Sequence, residues 1–139
     1  MLDPDDQYTV LRHDRLSSIG GGVVAFIHCS IKCHEIHLSL DNVELLSESG
    51  CEMLCFDMLF GSAKTRIILV YRPPNLYLNK VAQQNQLSAL VTLLEYLTCV
   101  KYTTFICGDF NFPDIDWIAL KTKFDGINDV FLNACLFLE

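Results

Sequence analysis

Short apolar runs that stop abruptly are the feature that most limits how this chain can fold. Val23-Val24-Ala25-Phe26-Ile27 and Ile67-Ile68-Leu69-Val70-Tyr71 are such runs, far below the roughly 18 residues that a membrane-spanning helix needs. Pro73 and Pro74 end the second run, because two prolines in succession remove two backbone donors and force an extended bend. The runs therefore predict buried β-strands and no membrane helix.

Strands are predicted at residues 8–12, 22–29, 51–60, 65–71 and 103–107. A turn at Gly61-Ser62-Ala63-Lys64 joins the third and fourth of these into a hairpin buried largely on both sides. The triplet Gly20-Gly21-Gly22 predicts a chain reversal before the second strand. The more polar residues 30–42 suit an edge strand or a loop.

Two helices are predicted in the second half of the chain. Asn79 is the predicted N-cap of a helix of about five turns. Its apolar stripe consists of Leu87, Leu90, Val91, Leu94 and Leu97. A second helix is predicted over residues 130–138. This mixed order of elements favours an α/β (α+β) layered fold in which helices cover a sheet.

Length and charge narrow the class of protein. The 139 residues suit one domain over 1–139. The net charge of −7 speaks against a broad basic face for nucleic acid, but it leaves open a phosphate-handling site with a bound cation. Three of the first six residues are aspartates, where a leader peptide would be basic or apolar, so we expect an intracellular protein with no membrane partner.

Asp109 and Asn111 are the first candidates for chemistry, because they follow a predicted buried strand that ends at Gly108. A carboxylate such as Asp109 can accept a proton from water or hold a hard cation. The amide of Asn111 can donate to a phosphate oxygen without adding a repelling negative charge. The pairing suits phosphoester hydrolysis, and the alternative is that the two residues only form an Asx turn.

Tyr71 and Arg72 leave the end of another predicted strand, in a direction fixed by the prolines that follow. The tyrosine hydroxyl could donate to a phosphate oxygen and the guanidinium could pair with a phosphate. The alternative is a tyrosine ring packed at the sheet edge and an arginine in solvent. Arg72 and Asn75, which closes this segment, are the predicted phosphate or DNA contacts.

Three segments together resemble a known family. They are Tyr71-Arg72-Pro73-Pro74-Asn75, Gly108-Asp109-Phe110-Asn111 and Pro113-Asp114-Ile115-Asp116-Trp117, with a helix between the first two. They look like the endonuclease/exonuclease/phosphatase superfamily, specifically the apurinic-type endonuclease domain of non-LTR retrotransposons. The opening Arg12-His13-Asp14-Arg15 and Gly20-Gly21-Gly22-Val23 are similar to the early part of that domain.

The resemblance implies two packed β-sheets flanked by helices, a four-layer sandwich that would here be incomplete at both ends. It implies Mg²⁺-dependent phosphodiester hydrolysis, with Mn²⁺ as an alternative ion. In retroelements the family nicks genomic DNA, in the nucleus, to prime a reverse transcriptase that lies C-terminal in the same polyprotein.

By position, Asp109 matches the aspartate that activates or orients the attacking water. Asn111 matches the asparagine that steadies the phosphate, and Tyr71 the tyrosine that contacts the scissile phosphate. We therefore expect the Asp109/Asn111 loop and the Tyr71 ring to converge at neighbouring strand ends.

The sequence also departs from the family. The family's principal metal-binding glutamate lies in its first strands and a Ser-Asp-His run closes its chain, whereas here all four histidines lie between His13 and His37. We therefore expect an internal slice of the domain, with Asp109 as a weak metal ligand. Because such groups act as one unit, the slice should be nearly inert alone. Exposed sheet edges should also make it poorly soluble.

Other functions remain open. One alternative is a non-catalytic remnant that binds a partner through exposed apolar faces. Another keeps the superfamily but changes the substrate to a phospholipid or an inositol phosphate, although Pro113 to Trp117 argues against it.

The remaining alternatives concern local sites. The soft ligands between Cys29 and His37 invite a zinc site, with spacing unlike the usual arrangements. Asp114 and Asp116 are candidate cation ligands or solvated loop carboxylates, and Trp117 is the expected packing anchor of that loop.

Overall fold

The computed structural model describes residues 7–14, 21–74, 78–123 and 126–137. The strands are β1 (Tyr8–His13), β2 (Val23–His28), β3 (Lys32–Glu35), β4 (Glu52–Phe60), β5 (Ala63–Tyr71), β6 (Thr103–Asp109), β7 (Ile115–Asp116) and β8 (Lys121–Thr122), and the helices are α1 (Leu40–Ser49), α2 (Lys80–Thr98) and α3 (Ile127–Phe137). These residues form a mixed α/β structure with one four-stranded mixed sheet and two two-stranded sheets. The described ranges show no four-layer sandwich. None of their helices is both long and apolar enough to cross a membrane.

The chain divides into two compact units. The first is drawn from Met1–Leu38, Glu52–Tyr71 and Val100–Asp109, and the second from Ser39–Cys51, Arg72–Cys99 and Phe110–Glu139. The first unit contains strands β1 to β6, and the second contains the helices with the short β7–β8 hairpin. Tyr71 and Asp109, the last residues of β5 and β6, therefore both belong to the first unit.

The first unit is built on a mixed sheet in the order β3-β4-β5-β6. β4 and β5 form the predicted antiparallel hairpin, and Gly61 closes it with a φ of 62°, a left-handed conformation that glycine adopts without strain. β6 runs parallel to β5. Parallel neighbours need a long connection, which residues 72–102 supply.

The β1–β2 hairpin covers one face of this sheet on the β4 side. Ile27, Leu54 and Phe56 are buried at the centre of the contact. Partly buried apolar side chains pack around them, namely Leu11, Val23, Ala25, Ile31, Cys33, Met58, Ile67 and Leu69. In register, the same face continues onto β6 as Thr103, Phe105, Cys107 and Asp109, all of them exposed. The apolar cover therefore stops before the last strand of the sheet.

A buried charge network lies on the opposite face of the same strands. Asp57 on β4 is 2% exposed and receives two hydrogen bonds from Arg66, from Nε at 2.9 Å and Nη2 at 3.2 Å. Tyr102 donates its hydroxyl to the same carboxylate at 2.9 Å, and Lys64 Nζ lies 2.8 Å from it. Because these donors are directed at one carboxylate, the network links β4 to β5 and to Tyr102, the residue before β6.

Helix α2 of the second unit agrees closely with the sequence prediction. The side chain of Asn79 accepts a hydrogen bond from the Ala82 backbone at 2.9 Å, so it is the predicted N-cap. Of the predicted stripe, Val91 is only partly buried. The other four members are buried, and so is Leu93, which the stripe did not include.

Helix α1 is a feature that the sequence analysis missed, since residues 30–42 were expected to form an edge strand or a loop. β3 occupies part of that range, but α1 begins at Leu40. The Ser39 side chain accepts a hydrogen bond from Asn42 N at 3.4 Å, and Gly50 ends the helix with a φ of 64°. A serine N-cap and a glycine C-cap around this stretch are the signal that could have revealed the helix.

The C-terminal segment differs in detail from the prediction. Helix α3 begins at Ile127, three residues before the predicted start at Val130. Leu138, the predicted end, lies outside the described residues. The two-residue strands β7 and β8 were not predicted, because so short a ladder leaves no periodicity to detect.

We predict that Asp57 makes stability depend on acid pH. Burial opposes ionisation of this carboxyl, but hydrogen bonds from Arg66, Lys64 and Tyr102 outweigh it and lower its pKa from 3.8 to about 2. A lowered pKa gives stability that is complete above the unfolded value and is lost as pH falls through the folded one. We therefore expect the free energy of unfolding to fall by about 2 kcal/mol between about pH 4 and pH 2.

Chemical denaturation across this pH range, with Asp57→Asn alongside, tests the prediction. The variant should lose this part of the pH dependence. It should also be several kcal/mol less stable at neutral pH, because Arg66 keeps a buried charge without its carboxylate. Asp14→Asn is the control, since the Arg12–Asp14 pair is more than half exposed and should contribute little. Equal pH slopes for wild type and Asp57→Asn would contradict the prediction.

Candidate functional site

The candidate site begins with two neighbouring strand ends in the first unit. Tyr71 and Asp109 are the last residues of the parallel strands β5 and β6, and they are register partners. Partners on adjacent strands lie about 4.8 Å apart, and their side chains point to the same face of the sheet. The expected convergence of Tyr71 and Asp109 is therefore present. Asp109 is exposed and Tyr71 is half-buried, so a molecule from solvent can meet the carboxylate.

The close approach of two strand backbones explains why a glycine, Gly108, precedes the aspartate. Its φ is 144°, and a Cβ atom there would overlap the carbonyl oxygen of Val70, its partner on β5. Only glycine allows the two backbones to approach so closely. The strand does not end at Gly108, as the sequence suggested, but continues to Asp109. The glycine therefore allows the last register pair of the two strands to form.

Glu52 is a third member of this row, and the sequence analysis did not name it as a candidate. It pairs in register with Tyr71 from the opposite side, so Glu52, Tyr71 and Asp109 lie side by side on one face of three adjacent strands. The signal was an acidic residue at the start of a largely apolar strand. Two carboxylates therefore flank the tyrosine.

Two hydrogen bonds tie the β1–β2 hairpin to the start of β4, next to this row. The backbone N–H of Gly22 donates to the Glu52 carboxylate at 2.5 Å. The ring nitrogen Nδ1 of His13 donates to the carbonyl oxygen of Met53 at 2.9 Å, since a carbonyl can only accept. Gly22 of the glycine segment and His13 of the Arg-His-Asp segment therefore lie next to the row of Glu52, Tyr71 and Asp109. Gly20 and Arg15 lie outside the described residues.

The second unit holds the residues that follow the two strand ends. Asn111 has a φ of 50°, a left-handed conformation that asparagine tolerates better than most residues. Its Nδ2 donates to the carbonyl oxygen of Arg72 at 2.7 Å. In return, Arg72 Nη1 donates to the carbonyl oxygens of Phe110 at 3.2 Å and Asn111 at 3.4 Å. The structure therefore brings together Asn111 and Arg72, two of the predicted site residues.

Arg72 is not an arginine in solvent. It is 5% exposed, and its guanidinium carbon lies 4.2 Å from the centre of the Phe112 ring, a cation–π contact. Burial lowers the pKa of its guanidinium, but an arginine stays charged at all relevant pH values. Its contacts hold the loop after β6, and its predicted role as a phosphate contact remains a prediction.

An aromatic cluster anchors the same loop within the second unit. Phe131 of α3 is 1% exposed. The rings of Phe112, Phe110 and Trp117 lie around it at centroid distances of 4.5, 4.9 and 6.4 Å. Trp117 therefore acts as the expected packing anchor, although half of its surface is exposed. These contacts fix the backbone of residues 110–117 against α3.

The other predicted residues have more local roles or fall outside the description. Asn75 lies outside the described residues. Asp116 accepts hydrogen bonds from two backbone N–H groups of the β7–β8 turn at 3.0 and 2.9 Å. Asp114 lies 3.9 Å from Lys123 Nζ in an exposed ion pair. Asp116 therefore caps a turn, and Asp114 is a loop carboxylate.

The described residues do not form a metal centre by themselves. Nowhere in these ranges do three or more His, Cys, Asp or Glu side chains come together as a metal-binding group. The segment from Cys29 to His37 is fully described, so the zinc alternative gains no support. The carboxylate of Asp109 is an oxygen ligand of the kind that Mg²⁺ takes from proteins, and its role as a weak metal ligand stays a prediction.

The comparisons with known proteins do not identify the chain. No protein-family model matches it, no curated protein matches it, and no solved structure matches it. The family resemblance therefore rests on the three sequence motifs.

We predict that Gly108→Ala destabilises the first unit strongly. The added methyl group meets the Val70 carbonyl in a left-handed conformation, so the free energy of unfolding should fall by at least about 2 kcal/mol. Gly61→Ala is the matched control: Gly61 also has a positive φ, but nothing lies within 4 Å of the added atom. It should cost only about 1 kcal/mol. Urea denaturation measures both, and equal losses would show that the close strand approach is absent.

We also predict that two substitutions at Asn111 distinguish the stability contributed by its side-chain hydrogen bond from the cost of its backbone conformation. Asn111→Ala removes the bond to Arg72 and keeps the positive φ, which together should cost about 2 kcal/mol of unfolding free energy. Asn111→Gly removes the same bond but relieves the backbone, so it should cost only about 1 kcal/mol. Urea denaturation of the two variants checks this order, and a glycine variant as unstable as the alanine variant would contradict it.

Proposed function

We propose that the chain is a fragment of a metal-dependent phosphodiester hydrolase of the endonuclease/exonuclease/phosphatase superfamily, a DNA-nicking endonuclease of a retrotransposon. The observation that carries the proposal is the register pairing of Tyr71 with Asp109 at the ends of two adjacent parallel strands. Two motifs far apart in the sequence thus supply a phenol and a carboxylate to the same end and the same face of two neighbouring strands. Functional residues are commonly placed on the loops and strand ends of a rigid scaffold.

The chemistry of these side chains fits phosphodiester hydrolysis. An exposed carboxylate at Asp109 can accept a proton from an attacking water or orient it. The hydroxyl of Tyr71 can donate to a phosphate oxygen, where negative charge develops in the transition state. The resemblance assigns the amide of Asn111 the role of a second neutral donor to the phosphate. Arg72 and Asn75 complete the proposed phosphate and DNA contacts.

The metal belongs to the parent protein in this proposal. Mg²⁺, with Mn²⁺ as an alternative, would supply charge stabilisation there, together with the family's glutamate and its Ser-Asp-His run. No Ser-Asp-His run occurs in this sequence, and Asp109 is the residue that the resemblance assigns as a weak metal ligand. We therefore expect weak activity from this chain alone.

The wider architecture follows from the same proposal. Residues 1–139 would be one partial domain of the superfamily, and the mixed sheet would be part of one of the two packed sheets of a four-layer sandwich. Its partners would be genomic DNA and the reverse transcriptase of the parent polyprotein, in the nucleus.

A second candidate function is favoured by one observation. Phe105, in the middle of β6, is 57% exposed, and the face around it has no cover from the β1–β2 hairpin. A non-catalytic fragment that binds a partner through this face would explain an exposed aromatic side chain inside a strand. Association without dependence on a metal ion would distinguish this function from hydrolysis.

Nicking of supercoiled plasmid DNA, with and without Mg²⁺, tests the two functions. We expect slow Mg²⁺-dependent nicking that Asp109→Ala reduces at least about a hundredfold, because it removes the group that handles the water. Tyr71→Phe should reduce it about tenfold or more, because one donor to the phosphate is lost. Asp41→Ala, an exposed carboxylate in the first turn of α1, is the control and should nick like wild type.

Two results would reject the hydrolase. One is nicking that survives in Asp109→Ala, since that activity cannot come from the proposed site. The other is no nicking above the Asp109→Ala background at any protein concentration, which would leave the non-catalytic fragment as the function of this chain.

A further inference from the structure

Strand β6 is an open edge of the mixed sheet. Among the described residues it pairs only with β5, so one row of its backbone N–H and C=O groups has no strand partner. Natural sheets usually protect such an edge with lysine, proline, a bulge or a very short strand. β6 has seven residues, Thr-Thr-Phe-Ile-Cys-Gly-Asp, and its one charge is at its last position. Nothing in the strand itself prevents another strand from pairing with it.

The exposed side chains of β6 would gain from such pairing. Phe105 is 57% exposed, and Thr103 and Cys107 on the same face are also exposed. A new neighbouring strand would bring side chains on this face to within about 5 Å of them. Pairing would therefore satisfy the edge hydrogen bonds and bury part of the Phe105 ring.

We propose that β6 pairs with β6 of a second copy of this chain, antiparallel and about a twofold axis, so that two four-stranded sheets join into one. Such an interface uses the same residues on both copies and closes on itself, as twofold dimers do. The proposal goes beyond hydrolysis and does not depend on it. The pairing uses the backbone groups of the strand edge, whereas the Asp109 side chain lies on a face of the sheet.

Charge selects this arrangement and its register. In a parallel pair in register the two Asp109 carboxylates would lie side by side and repel, whereas an antiparallel pair moves them to opposite ends. When the axis passes beside Phe105, the two Phe105 rings are opposite each other. Lys101, two positions before the strand, then lies opposite Asp109 of the second copy. The edge is therefore complementary to itself in charge.

Sedimentation equilibrium over a concentration series tests the proposal. Wild type should fit a monomer–dimer equilibrium. Phe105→Lys places two positive charges at the axis and should raise the dimer dissociation constant at least about tenfold. Phe60→Lys is the matched control, because Phe60 is 49% exposed on β4 and lies away from β6. It should leave the equilibrium unchanged.

A charge exchange tests the register itself. Lys101→Glu should weaken the dimer, and Lys101→Glu combined with Asp109→Lys should restore it, because opposite charges then face each other again. Circular dichroism confirms that each variant is folded before it is compared. A wild type that stays monomeric, large polydisperse aggregates, an equal effect of Phe60→Lys, or a double variant that is not restored would each overturn the proposal.

Discussion

The parallel pairing of β5 with β6 is the contact on which the rest of the first unit depends. It places Tyr71 beside Asp109, and it needs a glycine at position 108, where any side chain would meet the Val70 carbonyl. At the other end of the strands, the Asp57 network with Arg66, Lys64 and Tyr102 sets the same alignment. One end of the strand pair therefore needs a residue without a side chain at position 108. The other end is held by the four side chains of the Asp57 network.

The sequence predicted the elements whose signals are local and repeated. The β4–β5 hairpin has long apolar strands around a glycine turn, and α2 has a five-member stripe behind an asparagine cap, so both were found. α1 was missed because it has only ten residues and its clearest evidence is in its two caps, Ser39 and Gly50. The β7–β8 ladder is too short to have a period. Both elements were missed because short elements contain too few residues to show a clear periodic pattern.

The candidate site was predictable in part for a similar reason. Tyr71, Asp109 and Asn111 lie next to a proline pair and a glycine, which mark strand ends in the sequence. Glu52 could not be selected in the same way, because its importance comes from register across three strands. The burial of Arg72 beneath the aromatic cluster also depends on tertiary packing. Strand ends can therefore be found in a sequence, whereas the rows that cross a sheet need the pairing to be known.

The open edge and the candidate site belong to the same strand, and this links them physically. A strand with a neighbour on one side only keeps fewer restraints and opens more readily than an internal strand. A hydrolytic carboxylate works best when its backbone is held within a fraction of an ångström. Asp109 ends such an edge strand, so any strand that pairs with β6 also restrains Asp109. A second copy on the β6 edge would therefore restrain the backbone of Asp109, and it would also place its own Lys101 opposite the Asp109 side chain. If a second copy pairs with β6, completing the sheet and restraining the strand-end carboxylate would be the same structural event.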